Sequence, residues 1–423
     1  MTSAPIGEGQ ASCLTLAEAS ARIATHALQP GPVGRVGIEL EAHVVDTGNP
    51  DRRVPWPTLQ AIVRRLPVLP GASRITFEPG GQVELSGPPA PDITTAVAAL
   101  RTDSTVLRAA FAEAGLALAL MGRDPLRAPQ RVNPAVRYAA MEQHFASVGC
   151  AAAGTAMMTS TASLQVNLEA GPPQAWGRRV ALAHQLGPVL VAVSACSPLA
   201  TGRAVGWRSG RQQVWGDLDQ ARCGPLLGGD DPAGEWANYA LAAPVMLVRD
   251  AVSGSADPVC GRVPFADWIT GAAPLAGRRP TSADLDYHLS TLFPPVRPRG
   301  YLEIRYLDAA PEPWWPALAA ITSALLDDPL AADRAAAATE AVAGAWSRAA
   351  HLGLADPGLH AAARSCLDAA LGAVPAALRP EVEALAELVD RGASPGDALL
   401  RTALEGGAAA ALLTATRTPE AAP

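Results

Sequence analysis

Lysine is absent from this chain: all 33 of its basic residues are arginine. That absence excludes Schiff-base chemistry on lysine and the Walker-A phosphate loop, which needs one. An anion bound here must be held by arginine, a metal ion, backbone N–H groups or neutral donors. Positive charge is not in excess either. The net charge of −7 argues against nucleic acid as a partner, because phosphate backbones are met by basic faces. Cys13, Cys150, Cys196, Cys223, Cys260 and Cys366 include no CxxC pair and no ligand-like spacing, so they read as reduced thiols of a cytoplasmic protein. No basic start precedes an apolar run, and no uninterrupted apolar stretch reaches the roughly 18 residues of a membrane span. A membrane is therefore not an expected partner, and the cytoplasm is the expected compartment. His43, His144, His184 and His288 show no metal-binding spacing. No Ser/His/Asp or Cys/His set for nucleophilic catalysis stands out.

Hydrophobic residues make up 49% of the chain and charged residues 17%, enough for a substantial core. Length alone suggests roughly two or three domains, but the acidic segments run from Glu39 to Glu303. One catalytic domain over 1–315 is expected, with an alanine-rich helical region over 316–423 packed on it. Residues 1–12 read as a loose N-terminus. Thr15–Leu28 has helical spacing, with Thr15 as its cap and Glu18 three residues later. Strand Arg35–Val45, helix Thr58–Leu66 and two short strands within Ile75–Ser86, turning at Gly80-Gly81, come next. Asp92 caps a long helix that Gly115 ends, before a strand over Leu116–Gly122 and a helix over Tyr138–Phe145. Met157–Glu169 reads as a strand, Trp176–Ala195 as a helix, Thr201–Gly229 as loops, Glu235–Val252 as a helix and Tyr301–Leu307 as a strand. Beyond Pro316 the pattern is helical, with breaks near Pro329, Pro357, Pro375 and Pro395.

Four segments alternate oxygen-bearing and apolar side chains: Gly37–Glu41, Phe77–Leu85, Ser163–Glu169 and Tyr301–Tyr306. In a strand, residues two apart share a face, so each segment has an aliphatic side and a carboxylate or amide side. A solvated outer face would give the same alternation. Three details favour a site. Glu39 and Glu41 are same-face neighbours with no base between them, which is repulsive unless a cation sits there. Glu78 and Glu84 flank the Gly-Gly turn, and Thr161, Ser163, Gln165, Asn167 and Glu169 form a run of oxygen donors. Such ligands suit Mg²⁺, which commonly bridges carboxylates to substrate phosphates. A triphosphate would be repelled by this face without metal, and roughly two or three ions at about two carboxylates apiece would resolve the repulsion. Metal-bridged phosphoryl transfer follows, with arginines on the transferred group. Arg203 and Arg208 read as solvated, whereas Arg211 and Arg222 flank the Trp215–Asp219 segment, and Arg297 and Arg305 bracket Glu303. Trp215 reads either as core or as a wall of the site.

Four blocks in order, Phe77–Gly87, Leu164–Leu168, Trp215–Arg222 and Leu292–Arg305, resemble the glutamate–cysteine ligase family, in the branch shared by plants, proteobacteria and actinobacteria. The resemblance spans Gly34 to Pro311, and the alanine- and arginine-rich background is similar to that of actinobacterial members, which feed γ-glutamylcysteine into ergothioneine synthesis. It implies an α+β, glutamine-synthetase-like fold: a curved antiparallel β-sheet funnel backed by helices. It also implies ATP-dependent joining of the glutamate γ-carboxylate to the amine of cysteine, by a monomer or weak homo-oligomer. By position, Glu39, Glu41, Glu78, Glu84 and Glu303 would be the Mg²⁺ ligands. Asn167 and Arg305 would bind nucleotide, Arg305 and Arg211 would act on the phosphoryl group, and Gln165, Trp215 and Arg222 would bind substrate. Ser160 stands where many relatives carry a cation, and relatives use lysines that this chain lacks. A related carboxylate–amine ligase, and a non-catalytic nucleotide-binding relative, are the rival readings.

Overall fold

A computed structural model describes residues 13–226, 229–250 and 254–418. The loose N-terminus expected over 1–12 lies outside the described residues. Strand Val36–Asp46 organises the rest. Its first half pairs with Ser163–Glu169 on one side, its middle with Val83–Ser86 on the other, and its last four residues with Leu116–Ala119. The sheet has seven strands, every pair antiparallel. Val296–Pro298, Tyr301–Asp308, Ser163–Glu169, Val36–Asp46, Val83–Ser86 and Arg74–Phe77 lie side by side, with Leu116–Ala119 branching from the central strand.

Register then sorts the side chains. Leu40 opposes Leu85 and Leu164, Ile38 opposes Val166, and Leu302 opposes Leu168. Cross-strand partners share a face, so these aliphatic residues form one continuous buried side. Helix Trp314–Asp327, apolar almost all round, covers that side at Ser163–Glu169 and also meets helix Ile93–Glu113. One hydrophobic cluster runs from Ala19 to Ala415.

Local chemistry sets most boundaries. Thr15 and Glu18 form a reciprocal capping box on helix Leu16–Ala27. Asp92 accepts the N–H of Thr95 at the start of Ile93–Glu113, and Gly115 turns at φ +70° beyond its end. Pro329, Pro357 and Pro395 each open a helix in its first turn, behind Asp328, Asp356 and Ser394.

Four expectations are corrected. The strand expected over Met157–Glu169 begins as helix, Ala151–Ser160, and the strand is Ser163–Glu169. The preceding Ala-Ala-Ala run draws Met157 and Met158 into a helix that buries them. The loops expected over Thr201–Gly229 contain helices Gly210–Gly216, capped by Ser209, and Gln220–Cys223, capped by Asp219. The helix expected over Glu235–Val252 is Pro232–Ala242; Pro244 disfavours helical backbone at the residue before it, and Leu247–Arg249 becomes a strand. The helix expected over Trp176–Ala195 is two, Trp176–Gln185 and Gly187–Ser194, the second accepting Pro188 in its first turn.

Candidate active site

The polar face of the sheet follows from the same register. Glu41 lies opposite Glu84, Glu39 opposite Gln165, Asn167 opposite Glu303, and Glu303 opposite Arg297. Glu78 arrives on the turn between Arg74–Phe77 and Val83–Ser86, closed by Glu78 N–H donating to the Gln82 carbonyl at 2.8 Å. Gly80 is required there, because a Cβ would stand 2.2 Å from the carbonyl oxygen of Thr159. Glu39, Glu41, Glu78, Glu84 and Glu303 thereby line one cavity of about 300 Å³, together with Gln165, Arg211, Trp215 and Arg305. A second, more apolar chamber of about 400 Å³ shares Arg211, Trp215, Phe293 and Arg305 with the first and is walled by Trp207, Tyr306 and Trp346.

Hydrogen bonds fix most of these groups. Glu41 accepts from Ser163 N–H (2.8 Å), Ser163 Oγ (2.9 Å) and Gln165 Nε2 (3.2 Å). Glu39 accepts from Asn167 Nδ2 at 2.9 Å, and Glu84 from Thr76 Oγ1 at 2.9 Å and Ser86 Oγ at 2.6 Å. Arg305 Nη1 donates to Gln165 Oε1 at 2.7 Å. Trp215 Nε1 and Arg211 Nη1 are buried without a hydrogen-bond partner.

The carboxylates fall into two electrostatic classes. Burial, and then the neighbouring Glu84 and Glu303, push Glu39 up to about 7. Burial and Glu84 raise Glu41; burial, Glu41 and Glu84 raise Glu78 well above the carboxylate range, and Glu78 shares a hydrogen bond with Glu84. Arg305 near Glu39 and Glu78, and Arg211 near Glu41, pull the other way without outweighing burial and the like charges. At Glu303 the balance is reversed. Burial pushes its carboxyl up, but Arg297, Arg305 and Arg299 outweigh that and hold it down at about 2. Arg297 Nε and Nη2 donate to it at 2.5 and 3.0 Å, Arg299 Nη1 at 3.1 Å, and Arg305 Nη1 lies 3.3 Å away.

Two expected site residues stand elsewhere. Arg222 lines neither chamber: it is fully buried, with Nη1 and Nη2 donating to the carbonyls of Thr291 (2.8 Å) and Pro244 and Nε left without a partner. Asn167 does not line the cavity; its Nδ2 donates to Glu39, and it stands opposite Glu303 in the register. His288 stacks on Phe265 and bonds the Ala240 carbonyl, a structural role. Arg299, Arg137 and Tyr138 also line the carboxylate cavity, and of these only Arg299 falls within one of the four blocks.

Among the described residues, no three acidic, histidine or cysteine side chains are already gathered as a metal site. The donor chemistry of the group nonetheless fits a hard cation: oxygen ligands only, buried, and repelling one another more than the nearby arginines offset.

Residues 35–415 match the model of the family described as Glutamate-cysteine ligase family 2. The chain belongs to this family. It is 56% identical over 397 residues to "Glutamate--cysteine ligase EgtA" of Mycolicibacterium smegmatis, covering 93% of each chain. It is 52% identical over 392 residues to the protein of the same name from Mycobacterium tuberculosis, covering 92% of this chain and 91% of that one. The chloroplastic glutamate–cysteine ligase of Brassica juncea is 32% identical over 247 residues, 57% of this chain and 47% of its own. Among solved structures, the glutamate–cysteine ligase of Francisella tularensis in complex with AMP superposes with a TM-score of 0.58 at 14% identity, over 92% of this chain and 88% of that one. This chain thus has the α+β, glutamine-synthetase-like fold that the resemblance implies. No helix among the described residues is long and apolar enough to cross a membrane.

Proposed function

We propose that this glutamate–cysteine ligase couples ATP hydrolysis to formation of γ-glutamylcysteine, the product feeding ergothioneine synthesis. The observation that carries the reading is the convergence of Glu39, Glu41, Glu78, Glu84 and Glu303 with Arg211 and Arg305 on one cavity. Glu39, Glu41, Glu78 and Glu84, with Glu303 beside them, would hold magnesium, roughly two or three ions at about two carboxylates each. When bound, that magnesium neutralises triphosphate oxygens that the carboxylates would otherwise repel.

The remaining chemistry belongs to the chain. Arg305, oriented by Gln165 and Glu303, supplies fixed positive charge to the phosphoryl group in transfer. Arg211 and Trp215 line both chambers, and each keeps a buried donor without a partner, a pair suited to an amino-acid carboxylate. The γ-carboxylate oxygen of glutamate attacks the γ-phosphorus and ADP leaves. The amine of cysteine then attacks the acyl carbon of γ-glutamyl phosphate, releasing phosphate and a proton. Holding both amino acids in adjoining chambers raises their effective concentration and keeps water from the acyl phosphate. The site is built from one chain, so a monomer or a weak homo-oligomer suffices.

A coupled ADP assay across amino-acid pairs, with Mg²⁺ varied, tests this. ADP release should require glutamate, cysteine and Mg²⁺ together. Equal or faster release with another amine would make the protein a related carboxylate–amine ligase. ATP binding by calorimetry with no ADP formed under any amine would make it a non-catalytic relative.

A further inference from the structure

Asp308 closes the last site strand, just past the register shift between Ile304 and Leu307. Its side chain is buried and lines neither chamber. Oδ2 accepts from the Cys196 N–H (2.9 Å) and from Ser197 Oγ (2.6 Å), and Oδ1 from Ser209 Oγ (2.9 Å). Among the described residues, the cation paired with it is Arg211, whose Nη1 stands 3.8 Å from Oδ1. The same two hydroxyls reach the helix that carries the substrate-facing groups. Ser197 Oγ accepts the backbone N–H of Arg211 (3.0 Å), and Ser209 Oγ accepts that of Gln212 (3.1 Å). Helix Gly210–Gly216 presents Arg211 and Trp215.

Arg211 is therefore held from both ends. Its Nη2 donates to the Arg305 carbonyl at 2.7 Å, and the Asp308 charge attracts Nη1 without taking it in a hydrogen bond. In a desolvated setting that attraction orients the guanidinium while leaving its donor free. The geometry points to Asp308 as a positioning residue: through Ser197, Ser209 and its charge it sets Arg211 to receive the carboxylate of the amino-acid substrate. This rests on the ligase reading above. Gly122 belongs to the same device, because a Cβ there would stand 2.5 Å from the Asp308 carboxyl carbon.

The test is a double-mutant cycle on ADP release, with glutamate varied at saturating Mg-ATP and cysteine. Asp308→Asn should lower kcat/KM for glutamate about 10- to 100-fold, as loss of a supporting partner commonly does, while the KM for ATP stays at the wild-type value. Added to Arg211→Gln, it should cost nothing further, because the two act through one group. Losses that multiply, or wild-type kinetics in Asp308→Asn, overturn the assignment. If Asp308→Asn does not fold, Gly122→Ala displaces the carboxylate while keeping every charge. It should give the same split between glutamate and ATP, and wild-type kinetics in a folded Gly122→Ala would overturn the proposal. Wild-type ADP release with glutamate and cysteine, measured alongside, judges the ligase reading separately.

Discussion

Glu84 and Glu303 share one cavity but meet different electrostatic demands. Glu303 is clasped by three arginines, whereas Glu84 is met by the hydroxyls of Thr76 and Ser86 and by the carboxyl of Glu78, with Glu41 opposite. If the cation-poor carboxylates hold magnesium, removing one charge there removes a ligand. Glu39→Gln and Glu84→Gln should each lose about 10²-fold or more in turnover and weaken Mg-ATP binding, with an unchanged far-ultraviolet circular dichroism spectrum. Near-wild-type turnover in both would rule out the metal assignment. Metal-free protein offers a second check through pH. Burial, Glu84 and Glu303 raise Glu39 to about 7 in the fold, against an unfolded value of about 4.5. Between those values the native state binds more protons than the unfolded one, so this group's contribution is complete at low pH and is lost as pH rises through 7. At pH 8 without metal, Glu39→Gln should therefore be more stable than wild type, by at most about 3 kcal/mol. At pH 4 the two should melt together, and Mg²⁺ should restore the wild type selectively at pH 8. Equal melting of both proteins across this range would mean that Glu39 carries no burial penalty.

The turn at Gly80-Gly81 is the element on which the site hangs, since it delivers Glu78 and sets Glu84 against Glu41. Gly80→Ala would drive a methyl onto the Thr159 carbonyl, a backbone atom at the end of helix Ala151–Ser160 that cannot swing away. A cost of about 1–3 kcal/mol follows from overpacking, and activity should fall further than stability because two carboxylates move together. Thermal melts and ADP release on one preparation would check both; a wild-type rate with only a lowered melting temperature would separate the turn from the site. This turn was readable in the sequence because a Gly-Gly pair between alternating segments leaves few conformations. The four site strands were readable for a similar reason: a period of two survives in any sheet. Helix Ala151–Ser160 was not, since its apolar run has no period to separate helix from buried strand. The place of Arg222 outside both chambers was not legible, because its neighbours in sequence say nothing of the Thr291 and Pro244 carbonyls that it meets. Arg299 and Asp308 escaped notice because their roles depend on a hairpin and a register shift, which no motif spells out.

Across the whole molecule, the sheet presents charge on one side and relies on helices for the other. The aliphatic side of Ser163–Glu169 is covered by Trp314–Asp327, whose Leu318, Ile321 and Leu325 are each no more than 1% exposed. That helix is in turn packed by Pro329–Thr339, Pro357–Leu371 and Arg379–Asp390, and Arg101 on helix Ile93–Glu113 pairs with both Glu312 and Glu381. We propose that 316–423 is a helical region without which 1–315 cannot close its core. Burying each of those large side chains contributes about 1.5–3 kcal/mol, and together they rival a typical net stability of about 5–15 kcal/mol. A chain ending at residue 315 should therefore express as aggregate, or as a dye-binding species with no cooperative melt. Adding a separately produced 316–423 should not recover ADP release unless the two are refolded together. A soluble 1–315 fragment that melts cooperatively and binds Mg-ATP would instead make the helical region an accessory, and would move the boundary of the catalytic unit to the end of the sheet.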